Sequence, residues 1–238
     1  MGPMATIDDL KQRVLEANQR IVREGLVTAT FGNVSGIDRE RNLVVIKASG
    51  VSYDAMTHDH MVAVSLDTGQ VIGGAWRPSS DTPTHLALYR AFEAIGGVVH
   101  THSLYAAAWA QACREIPVFG TTHADYFNGP VPCTRSLTAD EIERDYELNT
   151  GLVIVERFAR IDPLEVPAVL VTNHGPFTWG ESVESAVDHA VYLEYIARLA
   201  SETVRVNMAA VPIDAALLQK HFRRKHGPAA YYGQGKCP

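Results

Sequence analysis

The chain has 238 residues, with 21 Lys+Arg against 27 Asp+Glu for a net charge of −6; 46% of its residues are hydrophobic and 20% charged. That balance excludes a disordered chain and argues against a nucleic-acid binder, which would carry a basic surplus. No apolar run approaches the ~18–20 residues of a membrane span. The length suits one α/β domain, read as residues 4–238. Met1-Gly2-Pro3, ahead of a second Met, reads as an appended remnant.

The start, MGPMATIDDLKQRV, is polar and acidic and reads as lacking a secretory signal. A first helix is expected from Thr6 to Glu24, because Leu10, Val14, Ala17 and Ile21 recur on one helical face and Gly25 stops it. Leu43–Lys47 and Met61–Leu66 read as short strands, and Asp67-Thr68-Gly69 turns the second into Gln70-Val71-Ile72. A helix follows Ser80-Asp81-Thr82-Pro83, with Asp81 or Thr82 as cap and Pro83 in the first turn. It ends at Gly96-Gly97, and Val98–His102 is expected as a strand. Ser103–Ala112 reads as helix and Val166–Thr172 as a strand broken at His174-Gly175-Pro176. A long helix then starts near Ser182, with a stripe from Ala186 to Val204. Helices interleaved with strands and hairpins favour a layered α/β fold with a mixed or mostly antiparallel sheet.

Cys113, Cys133 and Cys237 form no C-x-x-C pair and fit reduced thiols in a cytoplasm. The basic stretch Lys220 to His226 reads on its own as a solvated helix face. His100 and His102, two apart on the expected strand, would project to one face. Two imidazoles on a buried face are costly unless satisfied, and a divalent metal satisfies them. Hydrogen-bonded core or surface histidines would look the same in sequence. His174, at a strand end, competes for a third ligand position with His123, His85, His189 and His221; His85 and His189 fall inside helices and read as structural. Three imidazoles would leave a tetrahedral ion one open position, as catalytic sites do.

Five motifs occur in order: PSSDTPTH (78–85), VVHTHS (98–103), THADYF (122–127), NHGPF (173–177) and AYYGQ (230–234). The set resembles the class II aldolase/adducin family and is most similar to its branch that epimerises pentulose 5-phosphates at C4. The similarity runs from about Phe31 to Gln234. The resemblance implies a single-domain α/β/α sandwich around a mainly antiparallel sheet. It also implies a fourfold-symmetric homotetramer with active sites between subunits. By it, His100, His102 and His174 are metal ligands and Asp81 approaches as a fourth, in place of the Glu that the family's aldolases usually carry. Asp125 and Tyr232 match the two acid/base positions, with Tyr231 adjacent. The cation suited to three imidazoles is Zn2+; Co2+, Ni2+ and Mn2+ occupy similar sites.

Phosphate recognition falls to Gly32-Asn33, Ser49-Gly50 and Ser79-Ser80, where glycines expose N–H groups and Ser and Asn add short donors. Ser79 and Ser80 also precede a helix N-terminus. Each Gly/Ser cluster alone also fits an ordinary turn, and Lys47 either adds a positive charge or caps a strand at the surface. The implied reaction interconverts L-ribulose 5-phosphate and D-xylulose 5-phosphate. The C4 proton is not next to the carbonyl, so inversion requires cleaving C3–C4 by a retro-aldol step, turning the aldehyde over and rejoining the bond. Two acid/base groups would serve its two faces, and the C-terminal segment would close over the site. The alternatives are a sugar-phosphate aldolase of the same family and, from another class, a metal-free adducin-like binding module. The expected partners are a small sugar phosphate and further copies of the chain. The sequence leaves arabinose use, other pentose use and ascorbate-derived routes unseparated.

Overall fold

The structure is a computed structural model, and it describes residues 6–227 and 230–232. Gly233 and Gln234 of the terminal motif, and Cys237, lie outside the described residues. In chain order the elements are α1 (Ile7–Arg23), β1 (Asn33–Asp38), β2 (Leu43–Lys47), β3 (Met61–Ser65), α2 (Thr82–Ala91), β4 (Gly97–His100), α3 (Leu104–Gln111), a short α4 (Thr121–Ala124), α5 (Ala139–Arg157), β5 (Ala168–Leu170), β6 (Pro176–Gly180), α6 (Val183–Val206) and α7 (Ala215–Lys225). The strands form one sheet in the order β3-β2-β1-β4-β6-β5, and every neighbouring pair is antiparallel.

Alternation along the strands sends side chains to two covered faces. Val45, Ala63 and Val99 face α1 and the first turns of α6, where Leu10, Val14, Ile21, Val183 and Val187 meet them. Val44, Val62, Val64 and Val98 face the other way, toward Leu88 and Tyr89 of α2 and Ile154 of α5. Helices therefore sandwich the sheet, as the family resemblance implies. A further apolar cluster joins α3, β5 and the later turns of α6 through Trp109, Phe127, Leu170 and Leu193.

Local chemistry fixes the helix starts. Thr6, Thr138 and Ser182 each accept from the N–H three residues on, and the residue there answers with its own side chain. Glu194 of α6 accepts from the Tyr105 and Ala106 N–H groups at 2.9 and 3.0 Å and so holds the start of α3. Asn18 of α1 brackets β1, accepting from the Val34 N–H at 3.0 Å and donating to its carbonyl at 3.2 Å.

Several expectations shift. β4 ends at His100, so His102 lies beyond the strand and toward solvent rather than on a buried face. The strand expected over 166–172 narrows to Ala168–Leu170. The short α4 and three longer elements are additional to the sequence reading. β1 carries buried polar Asn33 and Ser35, β6 contains Pro and Gly, and α5 is interrupted at Asp145 (φ −141°, ψ 66°).

Candidate metal and substrate site

The sheet's antiparallel register collects three of the five motifs, PSSDTPTH, VVHTHS and NHGPF, at one of its ends. Asn33 opens β1 opposite His100, which closes β4, and His100 pairs with Phe177 near the start of β6. The turn from β5 to β6 carries His174. A bridge between Ala48 and Pro78 draws Ser49-Gly50 alongside Ser79-Ser80, through the bonds Ser79 N–H to Lys47 C=O and Ser49 N–H to Arg77 C=O, both 2.9 Å. Close packing needs glycine at two points. A Cβ on Gly32 would lie 2.8 Å from the His100 carbonyl, and one on Gly175 would lie 2.8 Å from the Thr101 carbonyl.

His100, His102 and His174 converge, with one ring nitrogen from each lying within 4.8 Å of the others. His100 is 1% exposed and stacks on Phe177 at 4.2 Å. Its Nδ1 faces the Pro176 carbonyl at 3.0 Å. A carbonyl only accepts, so Nδ1 carries the hydrogen and the Nε2 lone pair faces outward. That Nε2 lies 3.1 Å from Nε2 of His102. Burial, reinforced by His174 and His102, drives the His100 pKa far down. Burial also lowers those of His102 and His174, opposed in both by Asp81. Imidazoles that burial keeps from protonation, with one nitrogen of each gathered within 4.8 Å, suit a divalent cation.

The same pocket, of about 350 Å³, is lined by Gly32, Asn33, Lys47, Ser49 and Gly50 on one side and Ser79, Ser80 and Asp81 on another. Asp81 occupies the N-cap position of α2, yet its carboxylate makes no cap bond. It accepts instead from Asn33 Nδ2 at 2.6 Å, and that amide also reaches Ser79 Oγ at 3.1 Å. The tight cluster is thus three imidazoles, with Asp81 beside it on the pocket wall. Lys47 is 3% exposed, so it is a buried pocket cation rather than a surface strand cap. Its Nζ sits 5.0 Å over the Tyr53 ring. Burial pulls its pKa down and the charge of Asp81 works against that. Asn33 Oδ1 is buried and unpartnered among the described residues.

Asp125 and Tyr232 do not line this pocket. Asp125 follows α4 and is gripped by α7, with Arg224 donating at 2.9 and 2.6 Å, His221 donating at 2.9 Å and Lys225 forming an ion pair at 3.5 Å. Burial pushes the Asp125 pKa up, but bonds from Arg224 and His221 and the charges of Lys225 and Arg224 outweigh it and hold the carboxyl below its usual range. Tyr232 is 61% exposed beside this cluster, its ring 4.9 Å from the Arg224 guanidinium and 4.5 Å from Lys225 Nζ. The backbone N–H groups of Tyr231 and Tyr232 both donate to the Arg224 carbonyl at 3.0 Å. The basic stretch of α7 is therefore the scaffold of Asp125 and Tyr232, not a plain solvated face.

The remaining histidines lie elsewhere. His85 is buried against Ser35, His123 Nε2 lies 2.9 Å from the Gly129 carbonyl, and His189 Nδ1 lies 2.7 Å from the Trp179 carbonyl. A carbonyl accepts, so His123 and His189 are the donors there.

Residues 12–201 match the Class II Aldolase and Adducin N-terminal domain. The chain belongs to the class II aldolase/adducin family. Among curated class II relatives, the L-ribulose-5-phosphate 4-epimerase UlaF of Salmonella paratyphi B (strain ATCC BAA-1250 / SPB7) is 57% identical over 225 residues, covering 94% of this chain and 98% of the relative. The protein of the same name from Salmonella typhi is 56% identical with the same coverage. Among solved class II structures, an L-fuculose 1-phosphate aldolase superposes with a TM-score of 0.77 at 23% identity, covering 93% of this chain and 97% of that one. The L-fuculose 1-phosphate aldolase of Glaciozyma antarctica PI12 gives 0.75 at 20% identity, with 97% and 88% covered. At those identities the structures establish the class II fold alone.

Proposed function

We propose that this chain is a metal-dependent L-ribulose-5-phosphate 4-epimerase, interconverting L-ribulose 5-phosphate and D-xylulose 5-phosphate. The observation that carries the choice of reaction is the near end-to-end match, at 57% identity, to a protein of that name. The pocket supports the chemistry, since three lone-pair nitrogens, a buried lysine and three Ser/Gly/Asn loops line one cavity. His100, His102 and His174 would hold a divalent ion with Asp81 beside it; Zn2+ suits the nitrogen donors. Once bound, the ion would act as a Lewis acid on the ketose carbonyl oxygen and the neighbouring hydroxyl.

The protein's residues supply the rest. Lys47 offers a buried positive charge to the phosphate, Ser79 and Ser80 add donors just before α2, and Ser49 and the N–H groups around Gly32 and Gly50 add donors from the loops before β1 and after β2. The asymmetric grip on one phosphate keeps the cleaved aldehyde in place while it turns over. Asn33 Nδ2 steadies the Asp81 carboxylate. The C4 hydroxyl proton leaves to one acid/base group and returns from the other, roles we give to Asp125 and Tyr232. Because these two lie outside the pocket of their own chain, they would serve the pocket of a neighbouring copy in a fourfold assembly.

The test incubates purified protein with L-ribulose 5-phosphate, with and without a chelator, and follows both D-xylulose 5-phosphate and free glycolaldehyde phosphate. The expected result is D-xylulose 5-phosphate without accumulation of the free aldehyde, abolished by chelation and restored by zinc. Net release of glycolaldehyde phosphate would make the protein an aldolase. Metal-replete protein that holds no ion and turns nothing over would make it a binding module.

A further inference from the structure

Tyr146 has no part in the reaction described above, yet it reaches one of the three imidazoles. Each ligand histidine offers one nitrogen to an ion and leaves the other to be satisfied by the protein, which thereby sets the ring's tautomer and orientation. For His100 the second nitrogen goes to the Pro176 carbonyl. For His174 the group beside Nδ1 is the phenol oxygen of Tyr146, 3.3 Å away, with ring centroids 6.1 Å apart.

The backbone places that phenol with some care. Asp145, immediately before it, is the residue at which α5 departs from helical geometry. The turn beyond is pinned twice: Thr150 Oγ1 donates to the Tyr146 carbonyl at 2.9 Å, and Thr84 Oγ1 donates to the Glu147 carbonyl at 2.5 Å. Thr84 lies in the first turn of α2, the helix that Asp81 opens. A Cβ on Gly151 would stand 2.6 Å from that of Ala87, so the glycine lets α5 close on α2. The phenol is thus fixed against the helix that carries Asp81 and directed at the turn that carries His174.

We propose that Tyr146 is a positioning residue for the metal centre, its oxygen accepting from His174 Nδ1–H and so holding the tautomer that leaves the Nε2 lone pair to the ion. This rests on the reading of the three histidines as a metal site. Tyr146 is 37% exposed, so losing its hydroxyl leaves no hole in the core.

The experiment measures Zn2+ affinity by competition with a chromogenic chelator, alongside the melting temperature of the chelated, metal-free protein. Tyr146→Phe is expected to bind Zn2+ at least ~10-fold more weakly, the loss typical of an outer partner of a ligand histidine, while melting without metal at the wild-type temperature. Thr150→Val removes a bond to the same turn but keeps the phenol, and is expected to bind zinc as the wild type does. Wild-type affinity in Tyr146→Phe overturns the inference while leaving the metal site standing. An equal loss in Thr150→Val also overturns it, because the effect then belongs to α5 and not to the hydroxyl. A wild type that takes up no zinc fails the metal reading itself, and the inference with it.

Discussion

Replacing His100 by Ala removes a nitrogen that faces His102 across 3.1 Å and a ring stacked on Phe177. The expected outcome is loss of bound metal and of turnover by more than the ~10–100-fold that an outer partner costs; elemental analysis and the epimerase assay check it, and retained metal with full activity would remove His100 from the ligand set. Tyr232→Phe keeps the aromatic face over Arg224 and Lys225 but deletes the hydroxyl. General acid–base catalysis is worth about 10²–10⁴ in rate, so kcat is expected to fall by that order with KM little changed. An unaltered kcat would shift the role to Tyr231 or elsewhere. At this scale the sequence was informative where residue types are chemically demanding: the imidazoles could be located by motif, and Lys47 by its place before Ser49-Gly50. What it could not convey is that Asp81 gives up helix capping for Asn33, or that Tyr146 turns toward His174, since both depend on contacts between distant segments.

Among the elements, the seam between α6 and the sheet depends on small residues. A Cβ on Gly97 would lie 2.6 Å from the Val183 Cα and 2.7 Å from the Ser182 carbonyl, backbone atoms that cannot step aside. Gly97→Ala is therefore expected to destabilise by about 1–3 kcal/mol or more, the usual cost of overpacking, read as a lower urea midpoint; an unchanged midpoint would mean that α6 slides freely on β4. The elements that sequence patterns revealed, α1, α2, α6, β2 and β3, have clean periodicity or clear caps. β1 lacked it because Asn33 and Ser35 face inward, where the Asn33 amide N–H groups meet Ser79 and Asp81 and the Ser35 hydroxyl meets His85 and Tyr89. Such partners come from across the fold, and alternation of apolar residues does not report them. The interrupted α5 and the Pro- and Gly-bearing β6 were obscured in the same way by local signals that tertiary packing overrides.

The molecule as a whole carries a pH liability in its buried histidines. Burial pushes His85 down to about 3 and His123 down to about 4. In the unfolded chain each titrates near ~6.5, so below that pH the unfolded state binds protons that the folded state refuses. Stability is whole above pH ~6.5 and falls as the solution is acidified, by about 1.4 kcal/mol per pH unit for each such group until its folded pKa is reached. Urea melts of chelated protein are expected to show a midpoint that declines steadily from pH 7 to pH 5; a flat profile would mean these rings gain protons without unfolding. No helix among the described residues is long and apolar enough to cross a membrane.

The separation of the imidazole pocket from the Asp125–Tyr232 cluster has a consequence for genetics. If each working centre draws its ligands from one polypeptide and its phenol from the next, damage of the two kinds is recessive to the other. Co-expressing His100→Ala with Tyr232→Phe would produce mixed rings in which, for random assembly of equal amounts, about one quarter of the centres contain neither lesion. Two individually dead alleles would then restore growth on a sugar that requires the enzyme, whereas two alleles of the same kind would not.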